Sequence, residues 1–182
     1  YELLISWHLL SSNEMIKFLE ALPFTKNEKG LKELYKSKLG IDFAGSKIKE
    51  SSFEYINSCG LGESLDVLSS KAKYFYSIYE DKKALSICKN ILKRDSLVDE
   101  ILPLYSVCLM QTGEKAQLFS SAHTLAEEQP DSPLALFCLG CYCMLIKRHE
   151  HAWKLFHKAA QQDPSQIYFW IGMGNAAAIQ DD

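Results

Sequence analysis

Small and apolar positions in the last two-thirds of this chain recur at one fixed interval. Ala72, Ser106, Gly140 and Gly174 are all small and equally spaced. The same spacing aligns Ala84 with Leu118 and Ala152, Cys88 with Ala122 and Phe156, Ile91 with Leu125 and Ala159, and Ser96 with Pro130 and Pro164. A repeat of about 34 residues, with small side chains at fixed slots and proline near its end, predicts pairs of helices joined by short turns. Three full copies span 65–98, 99–132 and 133–166, and 167–182 supplies the first helix of a fourth. Seven repeat helices are therefore expected from about Ser64 onward, with turns near Thr112–Gly113, Gln129–Ser132 and Asp163–Ser165. The small slots have a steric reason: where two helices cross at close range, a side chain larger than Ala would push the backbones apart. Gly140 and Ala152 should mark such a crossing. The register has departures. Lys71 takes a slot usually held by leucine, Leu118 takes a small one, and Pro103 falls early in a first helix, where it is tolerated within the first turn but should shorten or bend the helix.

This pattern resembles the tetratricopeptide (TPR) repeat. The copy 133–166 carries it best: Leu136, Leu139 and Gly140 occupy the W-x-x-L-G slots, Ala152, Phe156 and Ala159 mark the second helix, and Pro164 closes it. Trp170 and Gly174 return in the same slots of the next copy. The resemblance implies an all-α fold, a TPR superhelical solenoid (α-α superhelix) of antiparallel helix pairs, with no β-sheet, that binds and positions other proteins.

The N-terminal third does not follow the repeat. Residues 1–40 read as helices from a preceding repeat followed by connector helices. Ser11-x-x-Glu14 is a capping box opening a short helix that Pro23 stops, and Thr25-x-x-Glu28 opens another running toward Leu39, with Gly40 as its stop. Gly30 weakens that second helix. Residues 41–63, with Gly45, Ser46, Ser51, Ser52, Gly60 and Gly62, read as an irregular linker. Residues 65–182 form the repeat array. Neither end carries the polar outer face of a terminal solenoid repeat, so the chain is expected to be part of a longer superhelix.

Charge and composition narrow the function classes. The apolar fraction is 47% and the charged fraction 24%, ordinary for a globular chain. No run of 18 apolar residues suggests a membrane span, and Tyr1–Leu10 lacks the basic flank and cleavage site of a signal peptide. Residues 1–94 carry 15 Lys+Arg against 12 Asp+Glu, a net +3, and residues 95–182 carry 5 against 11, a net −6. The basic excess is too dilute to form a nucleic-acid-binding face. Three of the six cysteines crowd one predicted helix as Cys138-x-x-Cys141-x-Cys143, but one helix cannot turn three thiolates toward a tetrahedral ion. They read as buried reduced thiols, which suits a reducing compartment. Nucleotide-binding and metalloprotease motifs are missing, and His149-Glu150-His151 falls in a predicted turn. No catalytic, cofactor-binding or metal-binding residue is assigned.

The first helix of each TPR repeat lines the concave surface, mainly through repeat positions 2, 5, 9 and 12. Here those positions place Val107, Met110, Phe137, Cys141, Met144, Ile171 and Asn175 as a candidate partner groove. Co-chaperones that clamp an acidic carboxylate need Lys, Asn and Arg at these places, and this chain, Asn175 apart, offers apolar and sulfur-bearing side chains in the candidate groove instead. Such a strip suits a segment with hydrophobic anchors; the same residues would also serve simply to pack on the next turn of a longer superhelix.

Beyond the generic repeat, the run from His8 to Pro23 is similar to the stretch preceding the central repeats of the cell division cycle protein 16 family. Those proteins are TPR scaffold subunits of the anaphase-promoting complex (cyclosome), a multisubunit ubiquitin ligase. Leu102-Pro103, Gly140-Cys141-Tyr142 followed by Glu150-His151-Ala152, and Trp170-Ile171 with Gly174 add to the resemblance, which covers residues 8–178. It implies a non-catalytic scaffold in cell-cycle control, found in nucleus and cytoplasm. Its implied partners are other TPR subunits and a small extended subunit, with homodimerisation through repeats outside this chain. Another TPR adaptor, whether a sister subunit, a co-chaperone or an import receptor, is the alternative reading.

Overall fold

The computed structural model describes residues 12–24, 30–35, 50–95 and 99–180. They are helical apart from turns, with no strand among them, and they fall into two compact units that divide between Glu80 and Asp81. The division passes between the two helices of the first repeat.

The first unit contains α1 (Ser12–Ala21), a helical stretch at 30–35, α2 (Glu50–Ser58) and α3 (Leu65–Ser77). The cap expected at Ser11, the helix start at Thr25 and its stop at Gly40 lie outside the described residues. Pro23 follows α1 as the pattern requires. Residues 41–63, expected to be an irregular linker, include α2, which is a correction. Phe53 and Ile56, one helical turn apart and so on one face, are both buried. They form a core with Leu34 and Val67, against which Tyr74 packs, its ring 5.5 Å from that of Phe53. Gly30, expected to weaken its helix, has a packing role: a Cβ there would stand 3.1 Å from Cys59 Cβ and 3.2 Å from Leu61 Cδ1. The Ser64 hydroxyl caps α3 by accepting from the Val67 N–H at 3.4 Å.

The second unit contains α4 (Asp81–Arg94), α5 (Leu102–Thr112), α6 (Lys115–Glu128), α7 (Pro133–Leu145), α8 (His149–Gln162) and α9 (Ile167–Gln180). With α3 these are the seven repeat helices that the spacing predicts. Pro103 sits within the first turn of α5, which has 11 residues where the equivalent helices α3 and α7 have 13. Helix α6 packs against α5 and α7, and α8 against α7 and α9; α5 also touches α7, and α7 touches α9. Helices α6 and α8 thus each lie against two consecutive first helices, the layering of a TPR solenoid.

Phe137, Phe156 and Phe169, from α7, α8 and α9, are fully buried. The Phe137 ring lies 5.4 Å from that of Phe156 and 5.2 Å from that of Phe169. Gly140 faces the same cluster: a Cβ there would meet the Phe156 ring at 2.5 Å. Gly172 also faces that ring, with a would-be Cβ at 3.1 Å. Gly174, the counterpart of Gly140 by register, has nothing within 4 Å. That slot is filled by the second helix of the same repeat, and 167–182 supplies only the first.

Gly113 closes α5 in the left-handed region (φ 75°), with the Glu114 N–H returning to the Leu109 carbonyl at 3.0 Å. The same closure occurs one repeat on either side. Tyr79 (φ 62°) and Lys147 (φ 61°) hold the register positions equivalent to Gly113 in the preceding and following copies. The Glu80 and Arg148 N–H groups donate to the Phe75 and Cys143 carbonyls, each at 2.9 Å. These bonds satisfy orphan carbonyls at the helix end. Of the three, the middle copy alone uses the residue suited to that backbone. At the other turns, the Asp163 carboxylate accepts from the Ser165 N–H and hydroxyl, and the Ser132 N–H donates to the Gln129 carbonyl.

These contacts set the expected response to substitution. Gly140→Ala should lower stability by about 1–3 kcal/mol through overpacking on Phe156, while Gly174→Ala, at an open helix position, should raise it by about 0.5–1 kcal/mol; urea melts of this chain give both. Lys147→Gly should stabilise by up to about 1 kcal/mol and Gly113→Ala should destabilise by about 1–2 kcal/mol, read the same way. Equal effects at 113 and 147 of the same sign would contradict the shared turn geometry.

Candidate partner-binding surface

The structure divides the expected groove into interior and surface. Phe137 and Cys141 are each 1% exposed and Val107 is 8% exposed. Their burial follows from the layering: α7 is enclosed by α5, α6, α8 and α9, so the side of α7 carrying Phe137 meets the aromatic cluster before it can meet a partner. Met110 and Met144 are half-buried, and Ile171 and Asn175 are exposed. What remains open of the strip is thus the two half-buried methionines on α5 and α7 and, on α9, Ile171 and Asn175.

That helix carries more apolar surface than the repeat positions alone indicated. Ile167, Trp170, Ile171 and Ile179 are all exposed, Ile171 at 50%. Ile167, Ile171 and Asn175 follow one another at i, i+4 spacing and so share a face. The Trp170 ring is fixed in place, its Nε1–H donating to the Pro164 carbonyl at 3.0 Å. Spacing could have singled out Ile167 together with Ile171; that both stay uncovered depends on what packs on α9, which no local pattern encodes.

The thiols lie mainly inside. All six cysteines are free; Cys88, Cys108, Cys138 and Cys141 are buried, Cys143 is half-buried and Cys59 is exposed. Ser106 Oγ and Cys138 Sγ lie 3.0 Å apart and join α5 to α7. Burial pushes the Cys138 thiol up to about 11, against the opposing effect of the Ser106 hydrogen bond. Burial likewise holds Cys141 well above the ordinary thiol range. A hydrogen bond with Cys108, then burial, raises Cys88. Thiols held neutral in this way are packing groups rather than nucleophiles. No group of three His, Cys, Asp or Glu side chains among the described residues is arranged to hold a metal.

The histidines follow the repeat. Phe119 and His123 form a ring pair at 5.6 Å, and Trp153 and His157, at the equivalent positions of the next copy, stack at 4.9 Å. His123 also lies 3.4 Å from Glu127. His149 and His151, expected in a turn, instead open α8, where an i, i+2 spacing turns their side chains to different faces. No helix among the described residues is long and apolar enough to cross a membrane.

Layered helix pairs, a small slot packed on an aromatic ring and a left-handed turn that recurs with the repeat define a TPR solenoid. No family model matches the chain. Across its whole length it is similar to the anaphase-promoting complex subunit CDC16 of Saccharomyces cerevisiae, with 29% identity over 185 residues, covering 22% of that protein. It is also similar to the cell division cycle protein 16 homolog of Homo sapiens, with 28% identity over 189 residues, covering 30% of that protein. Among solved structures it superposes on the anaphase-promoting complex hetero-tetramer Cut9–Hcn1 with a TM-score of 0.87 and 26% identity, over 98% of this chain and 35% of the matched one. The homologues of this chain are thus anaphase-promoting complex TPR subunits, and it spans less than a third of the curated relatives named here.

Burial of the thiols predicts their reactivity. In a pulse of iodoacetamide on the native protein, Cys59 should be labelled first, and Cys138 and Cys141 only on unfolding, as read by peptide mass spectrometry. Because the folded Cys138 thiol is raised, its contribution to stability is complete below the ordinary thiol range, about 8.5. It is lost as pH rises from there toward about 11. Urea midpoints should fall across that window, and less steeply in Cys138→Ala.

Proposed function

We propose that this chain is a segment of a scaffold subunit of the anaphase-promoting complex, a ubiquitin ligase acting in cell-cycle control, and that it binds other subunits without catalysing a reaction. The observation that carries this reading is the superposition of 98% of the chain, at a TM-score of 0.87, on a structure of that complex holding Cut9 with Hcn1. An array of buried neutral thiols and packed aromatic rings suits a structural part. By the same reading, sister TPR subunits and a small extended subunit are its partners, the full-length protein dimerises through repeats outside this chain, and it resides in nucleus and cytoplasm. Met110, Met144, Ile171 and Asn175 are the members of the candidate groove still open to a partner.

The test is affinity purification of the full-length protein from dividing cells. Ligase subunits should co-purify with the wild type, and their absence would overturn the reading. Met144→Asp combined with Ile171→Asp should lower retention of a groove partner several-fold while helicity by circular dichroism is unchanged. Undiminished retention would remove these side chains from the partner surface.

A further inference from the structure

A cleft of about 390 Å³ opens between α4, α5 and α6, lined by Lys89, Leu92, Lys93, Tyr105 and Gln117. Its chemistry differs from that of the apolar strip. Lys89 and Lys93 stand one turn apart on α4, so their ammonium groups share a wall. Leu92 and the half-buried Tyr105 ring add apolar surface. The Gln117 amide donates to Glu114 at 3.4 Å, which leaves its carbonyl oxygen able to accept from a ligand's N–H. Glu114 brings a carboxylate to the cleft's edge, against two lysines on its wall. The cleft also stands out from its surroundings. Residues 81–94 carry five Lys+Arg against one Asp, a net +4, whereas residues 95–182 carry a net −6.

We propose that this cleft binds an extended acidic peptide segment, with carboxylates at alternate positions on the lysine wall and an apolar side chain against Leu92 and Tyr105. The spacing suits that occupant. Alternate residues of an extended chain lie about 6.6 Å apart, and residues one helical turn apart have Cβ atoms about 5–6 Å apart. A nucleic-acid backbone fits less well, since the basic surface is confined to one helix and bounded by Glu114. The cleft is separate from the candidate groove, so the inference does not depend on the ligase reading.

The experiment uses the full-length protein and a short fluorescein-labelled peptide of alternating glutamate and leucine, with binding followed by anisotropy. Saturable binding is expected, weakening with added salt. Lys89→Glu with Lys93→Glu should weaken it by about tenfold or more. Lys82→Glu with Lys83→Glu, the same charge change on the same helix outside the cleft, should alter it by no more than about twofold. Should the first pair lose helicity by circular dichroism, Lys89→Gln with Lys93→Gln gives the same reading with a gentler change. The proposal fails if the two lysine pairs weaken binding equally, if a glutamine–leucine peptide binds as well, if tripolyphosphate displaces the peptide as effectively as unlabelled peptide does, or if no saturable binding is seen.

Discussion

The Phe156 ring occupies the space that side chains at 140 and 172 would otherwise take, and it does so from between the two helices that carry those positions. One aromatic group on α8 therefore sets how close α7 and α9 approach. Phe137 and Phe169 complete the cluster from those two helices. A close-packed interior transmits such a constraint: with α7 and α9 held against α8, the neighbouring layer is joined by the Ser106–Cys138 contact between α5 and α7. Small residues and sulfur atoms serve the same end, since neither adds the bulk that would separate adjacent first helices.

That close packing explains what the groove positions became. In α7 the large Phe137 turns into the cluster and Cys141 is covered. On α9, whose repeat is represented here by its first helix alone, Ile167, Trp170 and Ile171 are exposed.

How much of this was legible follows from the range of each signal. The seven repeat helices and their turns could be read because small residues and prolines recur at a fixed interval, and a close crossing admits few residue types. The left-handed turn at Gly113 carries a local mark, but Tyr79 and Lys147 do not, because the turn there is imposed by the helices it joins. Helix α2 carries a weak local signal because its buried residues Phe53 and Ile56 pack against residues distant in sequence, Leu34 and Val67. The slot at Gly174 matched by register, yet its meaning depends on a neighbour that residues 167–182 do not provide. For the candidate surface, residue type and helix position were readable. Burial was not, because it depends on how successive layers lie on one another.

Within the second unit the helices pack against elements next to them, or next but one, along the chain. Contacts of such short sequence separation cost little loop-closure entropy and favour fast folding. They also permit assembly from one end. As a helix pair leaves the ribosome, the pair before it already offers the surface against which it packs, so apolar faces such as that of α7 need stay uncovered only for the time taken to synthesise the next few turns. Assembly can then keep pace with translation, one layer behind the emerging chain.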